Sequence, residues 1–286
     1  MKKTIKVLLL SLVLAFVAVS AFAAGSKEVS GPTTRKDLRI GISPGPYGDM
    51  INKAIAPYLE KKGYTVSVVQ FSDYVQPDLA LNNGEIEANL MQHTVYLNQF
   101  SKDNNLDLSA VIIVPTAGAG VFSTVYTSLD QLKSGDQVAL PSDATNLARA
   151  LGILARYDLI TIKAGVEATK VSILDIDANP RNLQFRPLDA AQISRSLDSV
   201  AIGIVPGNFA IAAGLDFSKA LAIEKLAENY KNVVAVRTVD VDAQLGRDLK
   251  AAVESAEFYD AVTRPGSQFS GFDRPQWWVE KYGEGK

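Results

Sequence analysis

The stretch from Phe71 to His93 constrains the chain more than any other, because it compresses a strand end, a short helix, a turn and a new strand into 23 residues. Val66, Val68 and Val69 lead into Phe71 as a β-branched run, which predicts a strand. Asn82, Asn83 and Gly84 are turn chemistry that stops the helix before Ile86 opens the next strand. Two strand ends then face one opening, with Tyr74 just past the first and Met91, Gln92 and His93 at the end of the second. In open α/β sheets ligands bind at that edge.

The rest of the chain continues the alternation. Residues 38–42 read as a strand, 43–46 as a tight loop and 49–61 as a helix that Pro57 kinks; 64–71 supply the next strand. Residues 111–115 and 120–126 are extended around the break Ala117-Gly-Ala-Gly120, a first crossover. A second α/β lobe follows: a short helix at 128–133, a strand at 137–140, helices at 145–157 and 187–196, and a buried strand at 200–205. Residues 232–237 return as a β-branched strand, and 244–259 predict one amphipathic helix before a tail carrying Phe269, Phe272, Trp277 and Trp278. The predicted class is α/β, a two-lobed clamp with the ligand cleft between lobes. Lobe I takes 37–121 plus 236–286 and lobe II takes 122–235, with the hinge near 118–122 and 232–236.

At 286 residues with 47% apolar and 21% charged content the chain is long enough for one large or two medium domains. Its first 24 residues stand apart. Lys2, Lys3 and Lys6 precede an uncharged run to Ala24 that holds Ala21-Phe-Ala23, the pattern of a cleaved secretory signal; an uncleaved membrane anchor is the alternative. Residues 25–36, rich in Gly, Ser, Pro, Thr and Lys, read as a flexible leader. Removing three lysines of 29 basic residues leaves 26 against 31 acidic ones, a formal charge of −5, which disfavours nucleic-acid binding. The chain has no cysteine, so disulfides, thiol catalysis and thiolate metal sites are excluded. A periplasmic location is expected.

Few residues suggest chemistry. Gly41-Ile-Ser43-Pro-Gly45 has the G-x-S-x-G spacing of a hydrolase, but the oxyanion hole needs the N–H after the serine, and Pro44 has none. His93, the sole histidine, cannot build a zinc site alone; it either hydrogen-bonds a ligand or satisfies the core. No metal or cofactor is expected. The helix opened by Ser142-Asp-Ala-Thr-Asn146 turns free N–H groups and its dipole toward the cleft, which favours an anion. Asn146 and Arg149 share a helix face, where Arg149 is either a two-pronged carboxylate ligand or a solvated surface arginine. Tyr47 and Tyr74 follow strand ends and either pack on a ligand or belong to the core. Asn208, after the 200–205 strand, is a ligand amide or a helix cap.

Taken together these motifs resemble the NlpA/MetQ family of methionine-binding substrate-binding proteins of ABC importers. The resemblance runs from about Leu38 to about Phe258 and rests on Ser43-Pro-Gly-Pro46, Phe71-Ser-Asp-Tyr-Val-Gln-Pro77, Gly84-Glu-Ile-Glu-Ala-Asn89, Gln92-His93, residues 141–150, Ala190-Ala-Gln192 with Arg195-Ser-Leu-Asp198, and Gly207-Asn-Phe-Ala210. It implies a type II periplasmic binding protein, not an enzyme, that closes on an amino acid and delivers it to an inner-membrane permease and its ATPase, acting as a monomer. It further implies that Arg149 grips the ligand carboxylate beside Asn146, that Asn208 bonds the ammonium or carboxylate end, that His93 contacts the ligand and that Tyr74 lines the side-chain pocket. The chain departs from the family at Leu90-Met91, where an aromatic pair is usual, and Met91 then packs on the ligand. Tyr47 stands where histidine is common, Pro115-Thr-Ala-Gly-Ala-Gly120 replaces a Glu-Pro-Met-like segment, and Pro206 precedes Gly-Asn. With Ala23-Ala-Gly-Ser26 where family members carry a lipid-anchoring cysteine, a freely diffusing form is expected. The same clamp could instead take a dipeptide, another amino acid or an organic sulfonate; an enzyme or surface adhesin is the reading from another class.

Overall fold

Alternating strands and helices build two five-stranded sheets in the computed structural model, which describes residues 31–33 and 35–283. The expected signal segment 1–24 and most of the leader lie outside those residues. The first sheet begins with β1 (Asp37–Ile42), followed by α1 (Tyr47–Met50), a π-helical turn at Ile51–Ile55 and α2 (Ala56–Lys61). Pro57, in the first turn of α2, has no N–H for the carbonyl of Lys53 and its ring crowds that carbonyl, so the helix widens by one turn just before it rather than only bending. The chain continues through β2 (Thr65–Gln70), α3 (Val75–Asn82), β3 (Ala88–His93), α4 (Thr94–Asn104) and β4 (Leu108–Ile113).

It then passes to the second sheet: β5 (Gly120–Phe122), β6 (Gln137–Pro141), α5 (Ala144–Arg156), a small hairpin of β7 (Thr161–Ile162) and β8 (Ile176–Ala178), β9 (Gln184–Leu188), α6 (Ala190–Ser196), β10 (Ile202–Val205), α7 (Gly207–Ala212) and β11 (Ala222–Ile223). It returns as β12 (Asn232–Arg237), then α8 (Gln244–Val253), α9 (Ala256–Thr263) and α10 (Gln276–Tyr282).

The sheets are ordered β2-β1-β3-β12-β4 and β11-β5-β10-β6-β9. Within each, the strand arriving from the other sheet is antiparallel to its neighbours: β5 to β10 and β11, and β12 to β3 and β4. The remaining pairings are parallel. β3 and β12, at the centre of the first sheet, are buried at all six positions each, as strands covered on both faces must be. Each sheet has a separate apolar cluster on each face, the largest joining β1, the first helices and the C-terminal helices around Trp278, Phe258 and Phe269. The chain is therefore a two-lobed α/β clamp.

Four local expectations change. Pro187 lies in β9, an edge strand where a missing N–H costs no ladder bond, and α6 starts only after Asp189, whose side chain caps Ala191 N–H. The helix predicted over 244–259 is two helices, because Ser255 caps the N–H of Phe258 and starts α9. The short helix at 128–133 is one 3-10 turn, Leu129–Gln131. Of the residues expected to hinge the lobes, 118–122 and 232–236, only 118 and 119 lie between the sheets; 120–122 and 232–236 belong to β5 and β12, and the passages run over 114–119 and 224–231. Among the described residues no helix is long and apolar enough to cross a membrane.

Candidate functional site

Between the two sheets lies a narrow cavity. Tyr47, Tyr74, Met91, His93, Asn146, Arg149 and Asn208 all line it. The first four come from the first lobe and the last three from the second.

His93 ends β3 and caps α4, its Nδ1 accepting from the N–H of Tyr96 at 3.0 Å. Nε2 therefore carries the proton and donates to Asn146 Oδ1 at 3.1 Å, across the lobes. Burial, reinforced by the charge of Arg149 and only partly offset by Asn146, pulls the imidazole down to about 3, so it is neutral at physiological pH. Met91, two residues earlier on the same strand, is 2% exposed. Tyr74 leads into α3, and its hydroxyl donates to Asn208 Oδ1 at 2.6 Å, while Asn208 Nδ2 donates to the carbonyl of Pro44 at 2.9 Å. Burial raises the Tyr74 phenol and keeps it a donor. The Tyr74 ring packs against Tyr96 and Phe209, at 5.7 and 5.1 Å between centroids. Tyr47, the first residue of α1, is fully buried, and its hydroxyl meets the side chain of Thr116 and the backbone of Ala117 in the passage between lobes.

On the second lobe Asp143 caps α5, accepting from the backbone N–H of Asn146 at 2.9 Å and from its Nδ2 at 3.1 Å. That turns Asn146 Oδ1 toward His93 and, at 3.4 Å, toward Arg149 Nη1. Arg149 is not a solvated surface arginine: its side chain is 8% exposed. Nor is its guanidinium free, because Glu224 takes Nε at 2.8 and 2.9 Å and Nη2 at 2.5 Å. Burial opposes the guanidinium's charge, but Glu224 outweighs burial and raises it. Tyr230 covers the pair, its ring centroid 5.5 Å from the guanidinium carbon and 5.1 Å from the His93 ring.

Sequence reasoning missed Glu224, Tyr230, Tyr96, Thr116 and Asn232. Glu224 had one available signal: a buried arginine requires a carboxylate, though nothing in the pattern says which of 31 acids supplies it. Thr116 and Tyr230 occupy the passages, Tyr96 the first turn of α4 and Asn232 the start of β12, and nothing in the sequence pattern marks them as site residues. The arrangement offers hydrogen bonds, an oriented guanidinium and a soft thioether wall; among the described residues no cluster of side chains could hold a metal ion.

The NlpA lipoprotein family model matches residues 38–277. The D-methionine-binding lipoprotein MetQ of Salmonella typhi is 36% identical over 259 residues, covering 87% of this chain and 94% of its own. Outer membrane lipoprotein 3 of Mannheimia haemolytica is 33% identical over 231 residues, 78% of this chain and 85% of that one. A nutrient-binding protein from Burkholderia cenocepacia, solved bound to methionine, superposes with a TM-score of 0.76 at 34% identity, covering 82% of this chain and 97% of that one. These relatives correct the expected location. A freely diffusing periplasmic protein was inferred from a cleaved leader with no cysteine, whereas the family and these two relatives are lipoproteins by name. A missing thiol in one sequence addresses one chemical route of attachment, not where the family resides. Its matching span, its fold and its ordered motifs make this chain a member of the NlpA lipoprotein family.

Proposed function

We propose that this protein is the binding component of an ABC importer for methionine, closing on the amino acid between its two lobes and passing it to a membrane permease driven by an ATPase. The observation that carries the reading is the narrow cavity whose wall is drawn from both sheets, with the buried Arg149 guanidinium, Met91, Tyr47, Tyr74 and Tyr96 all on its lining. Arg149 Nη1 and Asn146 hold the ligand carboxylate, Asn208 its polar end, and His93 donates or yields its Asn146 bond on entry. Met91, Tyr47 and Tyr74 face the thioether, which favours polarizable and aromatic neighbours. The Burkholderia relative bound to methionine and the name of the Salmonella relative support this ligand.

The passages at 114–119 and 224–231 are the proposed hinge. Opening is required because His93–Asn146 and Tyr74–Asn208 join the lobes directly and would have to part for a ligand to enter, after which the lobes close on it. No bond is made or broken. The test is isothermal calorimetry on protein unfolded and refolded to strip carried-over ligand, titrated with L- and D-methionine and the other amino acids. Selective heat with methionine is expected. Binding of a dipeptide or an organic sulfonate in its place would overturn the assignment while leaving the clamp.

A further inference from the structure

The Arg149–Glu224 pair is more than a buried salt bridge, because of where Glu224 sits. It lies in the second passage between lobes, yet its carboxylate also accepts from Ala119 N–H in the first passage at 3.0 Å, and its own N–H donates to the Ala119 carbonyl at 2.9 Å. Gly118 packs so close to the Glu224 carbonyl that a Cβ there would fall 2.6 Å from it. The carboxylate is thereby fixed to both passages while it holds a side chain of α5.

That geometry has two electrostatic consequences. Glu224 occupies Nε and one edge of Nη2 and leaves Nη1, beside Asn146, as the guanidinium edge with the weakest partner, 3.4 Å away. It also cancels the arginine's charge from behind the cavity lining. His93 is neutral, and besides Arg149 the charges that act on Tyr74 and Tyr96 in the lining are negative, Asp143 on both and Asp78 and Asp73 also on Tyr96. With Arg149 balanced by Glu224, the cavity surroundings carry no excess positive charge. A site that relied on an unpaired arginine would draw in any small carboxylate or sulfonate; this one needs a ligand that brings its own positive charge.

We propose that Glu224 is a positioning and specificity-determining residue, which aims Nη1 of Arg149 at the ligand carboxylate and balances its charge so that the cavity takes zwitterions and turns away solutes that are only anionic. This rests on the amino-acid reading above. The sign of the effect follows from Coulomb attraction in a water-poor wall, where one uncompensated charge outweighs several neutral hydrogen bonds.

The experiment compares three probes by calorimetry on refolded protein: L-methionine, 4-(methylthio)butanoate, which lacks the ammonium, and L-methioninol, which lacks the carboxylate. The wild type is expected to bind methionine at least a hundredfold more tightly than 4-(methylthio)butanoate, and methioninol more tightly than the anion. Glu224→Gln is expected to narrow the methionine-to-anion ratio at least tenfold, chiefly through tighter binding of the anion, and Glu224→Asp, which keeps the charge, is expected to retain the ratio at lower affinity. A ratio unchanged in a folded Glu224→Gln protein overturns the proposal and leaves Glu224 a purely structural brace. Should Glu224→Gln not fold, the wild-type order decides: an anion that binds better than methioninol overturns it. Wild-type protein that binds none of the three overturns the methionine reading itself, and this inference with it.

Discussion

Arg149 illustrates why a residue's role depends on its partner. From the sequence its truncation would remove one charge-assisted contact to ligand, but in the fold it would also strand Glu224, 7% exposed, with no cation. Breaking one side of a buried pair costs about 3–5 kcal/mol, so Arg149→Ala should lower unfolding stability by that amount in urea titration as well as abolish methionine binding. A variant that lost affinity with full stability would show that Glu224 finds water or another donor. Asp78 is a second residue whose setting sets its behaviour. It is fully buried in α3, its Oδ1 accepts from Asn89 at 2.8 Å and from Gln92 at 2.5 Å, and its Oδ2 meets no donor. Burial pushes it up to about 7, with the two amides working in the opposite direction. Because the folded state holds this proton more tightly than the unfolded one, the contribution of Asp78 is full below the ordinary carboxylate range and is lost as pH rises through about 7. His93, held down at about 3, has the opposite sign: its contribution is full above 6.5 and is lost as pH falls through 3. Between roughly pH 4 and 6.5 the two slopes, each at most about 1.4 kcal/mol per pH unit, oppose one another. Asp78→Asn should expose the histidine slope, so that urea midpoints of the variant rise from pH 4.5 to 6.5 more steeply than those of the wild type. Parallel profiles would mean that Asp78 is ionised in the folded protein.

At the scale of elements, helix starts and strand ends decide the site, and the ones written in local chemistry were legible. The β2–α3–β3 unit, the Asn-Asn-Gly turn and the α5 cap follow directly from β-branching, turn residues and capping. Pro57 signalled a disturbed helix but not that a π turn would absorb it, since a kink and a widened turn both answer a missing N–H. Pro187 was misread because helix-favouring Ala190-Ala-Gln192 follows it, while the edge position that makes a strand proline harmless is a property of the sheet. The seven candidate site residues do share a cavity, because strand ends and helix starts of both sheets face it, with Met91 inside β3 and Arg149 further along α5. What could not be read is the part supplied by the passages: Thr116 and Ala117 on the wall itself, and Glu224 and Tyr230 packed on Arg149 behind it. α7 carries a direct test of that wall. A Cβ on Gly207 would lie 2.4 Å from the Ala117 carbonyl and 2.6 Å from that of Gly118, both backbone atoms of the first passage. Gly207→Ala should therefore hold α7 off that passage and weaken methionine binding at least about tenfold, the equivalent of 1.4 kcal/mol. Circular dichroism should remain that of the wild type, since the residue opens a helix and needs no left-handed backbone. Unaltered affinity would show that α7 and the passage can separate without disturbing the cavity.

For the whole molecule the question is whether two sheets joined by two short passages move as a clamp. Each lobe has its own apolar clusters, so neither depends on the other for a core. Near the cavity they meet through the hydrogen bonds His93 to Asn146, Tyr74 to Asn208 and Asn208 to the Pro44 carbonyl, which exchange readily with water or ligand, and through the Tyr74 ring packed on Phe209. An open groove separates Gln70, Phe71 and Ser72 of the first lobe from Gln192, Ser194 and Arg195 of the second. A hinge motion about the passages must change the width of this groove. The chain has no cysteine, so two introduced thiols carry spin labels with no background. Ser72→Cys with Gln192→Cys places one label on each bank, both at exposed positions. If methionine binding closes the clamp, pulsed dipolar spectroscopy should give a broad distance distribution in stripped protein and a single narrower one at saturating methionine. Because ligand that binds only the closed form stabilises it by mass action, the shift should track occupancy across a titration. A distribution that methionine leaves unchanged would mean that the lobes are rigid and that the ligand enters by local rearrangement of Tyr74 and His93.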